Sequence, residues 1–267
     1  MLNGWRYLME PDPVPVISEP KLWSQDGFEK VITEAIRQCF LLCRDRNKES
    51  IFTTLSGGLD SSLCLSVIRQ FGPGLPIRTF TIGGNQSHPD VQFARVVADK
   101  FSTRHTEIIP SAEEIETADR KFKEFFPTVR RSEKKGDLAV FMVYEAMANA
   151  GAKAVICHDG IDELLGGYWE HRKYQGREQE DVFQALWGEL ASKHLAPLQR
   201  VADHFKIFPI LPYLQISVVE YISGIPVGER TSREESKIPL RNFARKHLPL
   251  EIIERKKEGF CSGLKKF

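Results

Sequence analysis

Long hydrophobic runs are missing from this chain: no apolar stretch approaches the roughly 20 residues that a membrane-spanning helix needs. The N-terminal stretch MLNGWRYLMEPDPVPVISEP lacks the apolar core of a secretion signal, so a cytoplasmic location with no membrane partner is expected. Charge of one sign is also scarce. Lys and Arg number 37 against 36 Asp and Glu, a formal net charge of +1, which offers no bulk attraction for nucleic acid. Cysteine pairs at metal spacing are absent. The five cysteines (Cys39, Cys43, Cys64, Cys157, Cys261) contain no CxxC, and their odd number suits buried thiols in a reducing compartment. Repeats and low-complexity tracts are lacking too. What is present is 267 residues at 42% hydrophobic and 27% charged content, enough for one large α/β domain or one and a half smaller ones.

Four prolines between Glu10 and Pro20 predict an extended arm. From Phe28 to Cys43 apolar residues recur at helical spacing, predicting a long amphipathic helix. IFTTL, IRTFTIG, RHTEIIP and AKAVICHDG then read as strands, separated by the helical patterns SLCLSVIRQF, VQFARVVADKF, SAEEIETADRKF and LAVFMVYEAMANAG. Such alternation predicts an α/β fold: a parallel sheet with helices on both faces. Beyond about Leu164 the strand signals stop and DVFQALWGELASKHL, LQISVVEYISGI and SKIPLRNFARKHL read as helices. The expected organisation is an arm over 1–27, an α/β half over 28–165 and a helical C-terminal half over 166–267 that completes the site.

Between the first strand and its helix lies SGGLDSS, residues 56–62. A tight turn and a helix cap account for one glycine and one polar residue, not for three hydroxyls around an aspartate. At the carboxyl end of a parallel strand, a helix N-terminus is an anion site. Gly57 and Gly58 let the backbone approach phosphate oxygens, and Ser56, Ser61 and Ser62 can donate to them. No lysine follows, so this is not a P-loop, and the spacing is not GxGxxG. Asp60 would repel an anion unless a cation intervenes. Mg²⁺, which favours carboxylate, phosphate oxygens and water, resolves that conflict.

SGGLDSS resembles the pyrophosphate loop of the N-type ATP pyrophosphatases (the PP-loop, adenine nucleotide alpha-hydrolase type of fold), and CHDGIDELLGGY, residues 157–168, is similar to the SGEGSDELFGGY signature of the asparagine synthase family. RKKEGF (255–260) and SKIPLR (236–241) resemble two further elements, in the family's order, so the resemblance runs from about residue 28 to 263. It implies an ATP-dependent ligase that adenylates a carboxylate, releases pyrophosphate and forms an amide. It also implies that Asp60 and Asp162 hold Mg²⁺ on the phosphates of ATP, the bland alternative being two helix-capping aspartates. Lys257 would hold phosphate as charge develops, with its neighbour Lys256 as a rival and a solvated surface lysine as the alternative. Lys237 would add a weaker phosphate contact. Asp159 stands where the family has Glu and is the candidate base, one methylene short; Glu163 would touch the substrate. Leu55, Ile82, Gly83, Cys157 and His158 occupy positions that contact the adenine in the family, and all but His158 would serve equally as strand-end packing. His158 would either stack on the base or cap its strand.

The sequence departs from the family in three places. Glutamine-using members begin with a catalytic cysteine and a glutaminase domain; here residue 2 is Leu, and no glutaminase domain is expected. The family's RVPFLD reads IFPILP (207–212), so Ile207 and Pro212 replace a charged clamp, making free aspartate an unexpected substrate and favouring a larger, less polar acid. Asp137 opens the helix GDLAVFM, where it receives a cationic amine or only answers the helix dipole. The leading expectation is a small-molecule or peptide carboxylate joined to ammonia or another amine, supplied free or by a separate amidotransferase subunit, as in members resembling β-lactam synthetases and lasso-peptide cyclases. The alternatives are an ammonia-dependent asparagine synthetase, a sulfur-transfer or tRNA-modifying enzyme, and a non-catalytic nucleotide-binding protein.

Overall fold

Ser24 opens the first helix by accepting a hydrogen bond from the Gly27 amide at 3.1 Å. That helix, α1 (Gln25–Arg46), buries Phe28, Ile32, Ala35, Ile36, Cys39, Phe40 and Cys43 along one stripe, the face its periodicity predicts. The computed structural model describes residues 8, 14–48, 50–127 and 134–255. After α1 come β1 (Ile51–Thr54), α2 (Leu59–Phe71), β2 (Ile77–Ile82), α3 (Pro89–Lys100), β3 (Arg104–Ile108), α4 (Ala112–Phe125), α5 (Lys134–Asn149) and β4 (Ala154–Ile156). Then follow α6 (Ile161–Leu165), α7 (Trp169–Lys173), α8 (Gly176–Leu190), α9 (Ala196–Phe205), β5 (Phe208–Ile210), α10 (Ile216–Ser223), α11 (Val227–Arg230), α12 (Ile238–Ala244) and α13 (Leu250–Ile253).

All five strands among the described residues are parallel, in the order β3-β2-β1-β4-β5. Helix α1 packs on β1, β4 and α2, whereas α5 packs on β2, β3, α4 and α9. The chain thus covers both faces of the sheet, as right-handed crossovers require. The sheet extends further than the sequence pattern indicates: β5 lies within the stretch read as purely helical. Its three residues are too few for periodicity to register, and only pairing with β4 makes them a strand.

The arm from Val14 onward packs against the C-terminal helices. Trp187 Nε1 donates to the Val14 carbonyl at 3.0 Å, and Ser223 Oγ to that of Pro15 at 2.6 Å. Arg230, wholly buried, ties three segments together. It donates to the carbonyls of Ile225 (2.7 Å), Val16 (2.8 Å), Ser223 (3.0 Å) and Leu164 (3.2 Å). Burial lowers its pKa to about 9, so the group remains charged at neutral pH. Arg230→Met keeps most of the volume but orphans these acceptors. It should destabilise the fold by about 3 kcal/mol or more, read from chemical denaturation; a change within experimental error would contradict this.

Candidate active site

The strand order reverses direction between β1 and β4, which opens a crevice at their carboxyl ends. SGGLDSS leaves β1 there and CHDGIDELLGGY leaves β4, so two segments remote in sequence become neighbours because Thr53 and Ile156 are paired in register. Gly57 has φ +65°, and a Cβ on it would collide with the backbone at Phe93–Ala94 of α3. This explains the glycine: the loop is seated on α3 in a conformation other residues resist. Ser61 Oγ accepts from the Ser56 amide at 3.2 Å and lies 3.2 Å from Ser56 Oγ, so these two hydroxyls organise the loop. Ser62 Oγ is buried with no hydrogen-bond partner among the described residues.

Asp60 stands in the first turn of α2 and Asp162 in the first turn of α6. Lys237, from the start of α12, reaches between them. Its Nζ lies 2.7 Å from both carboxylate oxygens of Asp60 and 2.8 Å from Oδ1 of Asp162. The lysine side chain is only 5% exposed. Two features hold it there. Lys237 has φ +54°, a costly backbone for a non-glycine residue, and its amide donates to the Leu165 carbonyl. Gly167 lets Asp162 and Lys237 pass against bare backbone, since a Cβ there would strike both side chains. Tyr213 braces the far side, donating to the Asp60 carbonyl at 2.8 Å.

Beside this cluster, Glu163 is almost fully buried and accepts from Tyr168 Oη at 2.8 Å. Burial and the adjacent Asp162 raise its pKa. His194 Nε2 stands 4.0 Å away, presented by a π-helical turn (Ala191–Leu195) between α8 and α9. Asp159 is half-buried on the turn between β4 and α6; the Tyr168 phenol pKa is raised by burial and Glu163 first, with a further contribution from the Asp159 charge. Asp137 forms an ion pair with Arg200 of α9 at 3.3 Å, so its carboxylate already meets a cation.

His158 caps the strand ends. Its Nε2 lies 3.0 Å from Thr53 Oγ1 and 3.0 Å from the Thr54 carbonyl, and burial lowers its pKa to about 4. Cys157 is buried against the Tyr144 hydroxyl, and burial pushes its thiol pKa far up. Leu55 and Ile82 belong to the core, and Gly83 follows β2 with its amide bonded to the Ile108 carbonyl. Ile207 and Pro212 are buried in core packing around β5. The apolar wall expected at these two positions is therefore covered and does not face a ligand. Lys256 and Lys257 lie outside the described residues.

Three contributors escaped sequence reasoning. Tyr213 and Gly167 act through contacts that no local pattern displays. Arg255 opens the RKKEGF element, but one arginine in a basic string carries no signal of burial; here it donates to the Ser56 carbonyl at 2.8 Å.

The carboxyl ends of a parallel sheet in an α/β domain thus carry a glycine–serine loop and two aspartates around a buried lysine. The chain belongs to the asparagine synthase family, whose model matches residues 34–205 and 200–266. It is similar to the glutamine-hydrolysing asparagine synthetase of Homo sapiens, 28% identical over 232 residues covering 79% of this chain and 39% of that protein. The glutamine-hydrolysing asparagine synthetase of Zea mays is 28% identical over 231 residues, with the same shares covered. The chain thus spans about two fifths of the length of these relatives. Among solved structures, the U34-tRNA thiolase NcsA of Methanococcus maripaludis has a TM-score of 0.46 at 14% identity, over 91% of this chain and 90% of that one. A likeness of that degree has no bearing on function.

Proposed function

We propose that the chain is the synthetase part of an ATP-dependent ligase that converts a carboxylate and an amine into an amide, with AMP and pyrophosphate as the other products. The observation that carries this reading is the Asp60–Lys237–Asp162 cluster beside the glycine–serine loop. Two carboxylates held around an ammonium form a site that already suits a cation, and Mg²⁺ takes one or two carboxylates together with phosphate oxygens and water. The donor set therefore fits Mg²⁺, held by Asp60 and Asp162. Bound there, the ion would neutralise charge on the departing pyrophosphate.

In the first step a substrate carboxylate oxygen attacks the α-phosphorus of ATP, forming an acyl-adenylate and breaking the bond to pyrophosphate. The amides at the start of α2, with Ser56, Ser61 and Ser62, bind the pyrophosphate group, and the Ser62 hydroxyl has a donor to give. Lys237 has charge to lend the phosphates, and Lys257 is proposed to meet them as charge grows. Leu55, Ile82, Gly83 and the backbone at Cys157 and His158 are proposed to contact the adenine. In the second step an amine attacks the acyl carbon, AMP leaves, and a proton is lost. Asp159 is the proposed acceptor of that proton; Glu163, held by Tyr168, is proposed to orient the substrate.

Sulfur transfer needs a thiolate near the phosphates, and among the described residues the candidate thiol, Cys157, is buried with a raised pKa, which disfavours that reading. Asparagine formation from free aspartate is disfavoured because Ile207 and Pro212, uncharged and covered, supply no ionic clamp for a zwitterion.

The test is incubation with ATP, Mg²⁺, an amine and a panel of carboxylic acids that includes L-aspartate. AMP and pyrophosphate in equal amounts are expected with at least one acid other than aspartate. ADP and orthophosphate as primary products would refute the reading, and rapid asparagine formation at submillimolar aspartate would overturn the substrate preference.

A further inference from the structure

Glu163 stands in the first turn of α6 with its side chain 3% exposed, and its hydrogen-bond partner is a neutral phenol, the Tyr168 hydroxyl at 2.8 Å. Among the described residues no lysine or arginine lies within ion-pair distance of it. The phenol stands in the field of three carboxylates, Glu163, Asp162 and Asp159. Lys237 is already engaged by Asp60 and Asp162. A buried carboxylate is costly without a cation, so the place favours a positive charge from outside. Facing it is His194, whose side chain is 46% exposed and whose Nε2 lies 4.0 Å from Glu163 Oε1. The π-helical turn that presents it, Ala191–Leu195, is a rare backbone found mostly at functional sites. The spacing suits a bridging atom. At 4.0 Å the two groups are too far apart for a direct hydrogen bond, yet a nitrogen about 2.8 Å from each would sit roughly 2 Å off the line joining them. With its proton on Nδ1 the imidazole accepts at Nε2, as the carboxylate accepts at Oε1. Two acceptors then converge where one N–H-bearing cation fits.

We propose that Glu163 and His194 form a subsite for a primary ammonium group of a substrate, the carboxylate pairing with its charge and the imidazole accepting a second N–H. The proposal rests on the ligase reading for its place in the reaction, and adds to it the chemical group that Glu163 orients. That nitrogen belongs either to the amine that attacks the acyl carbon or to an amino group carried by the acid. Tyr168 keeps Glu163 turned toward the position and is itself held by α7. Its amide donates to His171 Nδ1 at 3.3 Å, and its ring stacks on the His171 imidazole with centroids 5.7 Å apart.

Methylammonium tests this without knowledge of the substrates. In protein carrying isotope-labelled histidine, the His194 imidazole signal, identified by its loss in His194→Gln, should shift saturably as methylammonium is added. Tetramethylammonium, of equal charge but without an N–H, and KCl at matched ionic strength should leave it in place. Glu163→Gln, nearly isosteric and neutral, should weaken the methylammonium response about 10-fold or more. An equal response to tetramethylammonium, no response to methylammonium, or an unchanged response in Glu163→Gln would each overturn the proposal. His194→Ala, at a half-exposed turn, is the variant to read if Glu163→Gln fails to give a cooperative melt. Its kinetics are measured with ATP, ammonia and an acid that supports AMP formation. KM should rise about 10-fold, with a smaller change in kcat, for the substrate that brings the nitrogen. That substrate is ammonia if the attacking amine docks there, and the acid if it carries an amino group. His194→Gln, which keeps an acceptor, should recover part of the loss. Parent values of KM for both substrates in His194→Ala would overturn the proposal. If no acid supports AMP formation, the ligase reading itself falls, and the methylammonium titration still decides the subsite.

Discussion

Asp60→Asn should lower AMP formation by about three orders of magnitude while leaving the melting temperature within a few degrees of the parent value. The argument for the first effect is electrostatic. Asp60 is one of two carboxylates proposed to hold Mg²⁺ against the phosphates, and loss of several kcal/mol of transition-state charge stabilisation corresponds to such a factor. The argument for the second is local. Asp60 lies at the edge of a loop, its side chain 15% exposed, and Lys237 keeps Asp162 as a partner after the change. The backbone anchor also survives, because Tyr213 donates to the Asp60 carbonyl and not to its side chain. Rates with ATP and an accepted acid, alongside a thermal melt, decide the matter. Turnover close to that of the parent would show that the acidic pair does not carry the metal.

Lys237→Met should have the opposite balance, acting on stability as well as on turnover. With the ammonium gone, Asp60 and Asp162 face a shared, largely buried space without the cation that now lies 2.7 and 2.8 Å from them. Breaking a buried ionic cluster at one partner typically costs about 3–5 kcal/mol. In chelator, the variant should therefore unfold at distinctly lower denaturant concentration than the parent. Millimolar Mg²⁺ or Mn²⁺ should return much of the loss, since a divalent ion can replace the missing charge and a ligand selective for the folded state stabilises it. The parent should respond less to the same ions, its lysine already occupying the space between the carboxylates. Equal responses of parent and variant to the ions would show that the two aspartates do not form a cation site.

The N-terminal part of the fold was legible because it is periodic. The stripe from Phe28 to Cys43, the four apolar strand segments and the helical pattern SAEEIETADRKF each express a local rule, and each element appears where the rule places it. β5 expresses none: at three residues, it exists because β4 offers an unpaired edge. The site divides in the same way. Glycine, serine and aspartate in seven residues announce an anion loop, since few other demands call for that mixture, and the sequence alone carried that reading as well as the family.

The sequence offered Lys237 only as a weaker phosphate contact, not as the partner of the two aspartates. Its left-handed backbone and the bare backbone of Gly167 put it between two aspartates, and neither condition has a signature within its own segment. The same holds for Arg255, buried by α3 and the loop and not by its neighbours in the chain. Ile207 and Pro212 show the reverse error: positions taken as facing a substrate are covered, because burial depends on what packs above a residue. The sequence by itself determined the α/β class and the family, and it singled out SGGLDSS, Asp60 and Asp162, since these rest on local periodicity, residue chemistry and the motifs that carry the resemblance. Only the tertiary structure decided which lysine joins the aspartates, which arginine holds the loop and which apolar residues are covered. Those outcomes are set by contacts between segments far apart in the chain, where distance in space, not spacing in sequence, fixes the interaction energy.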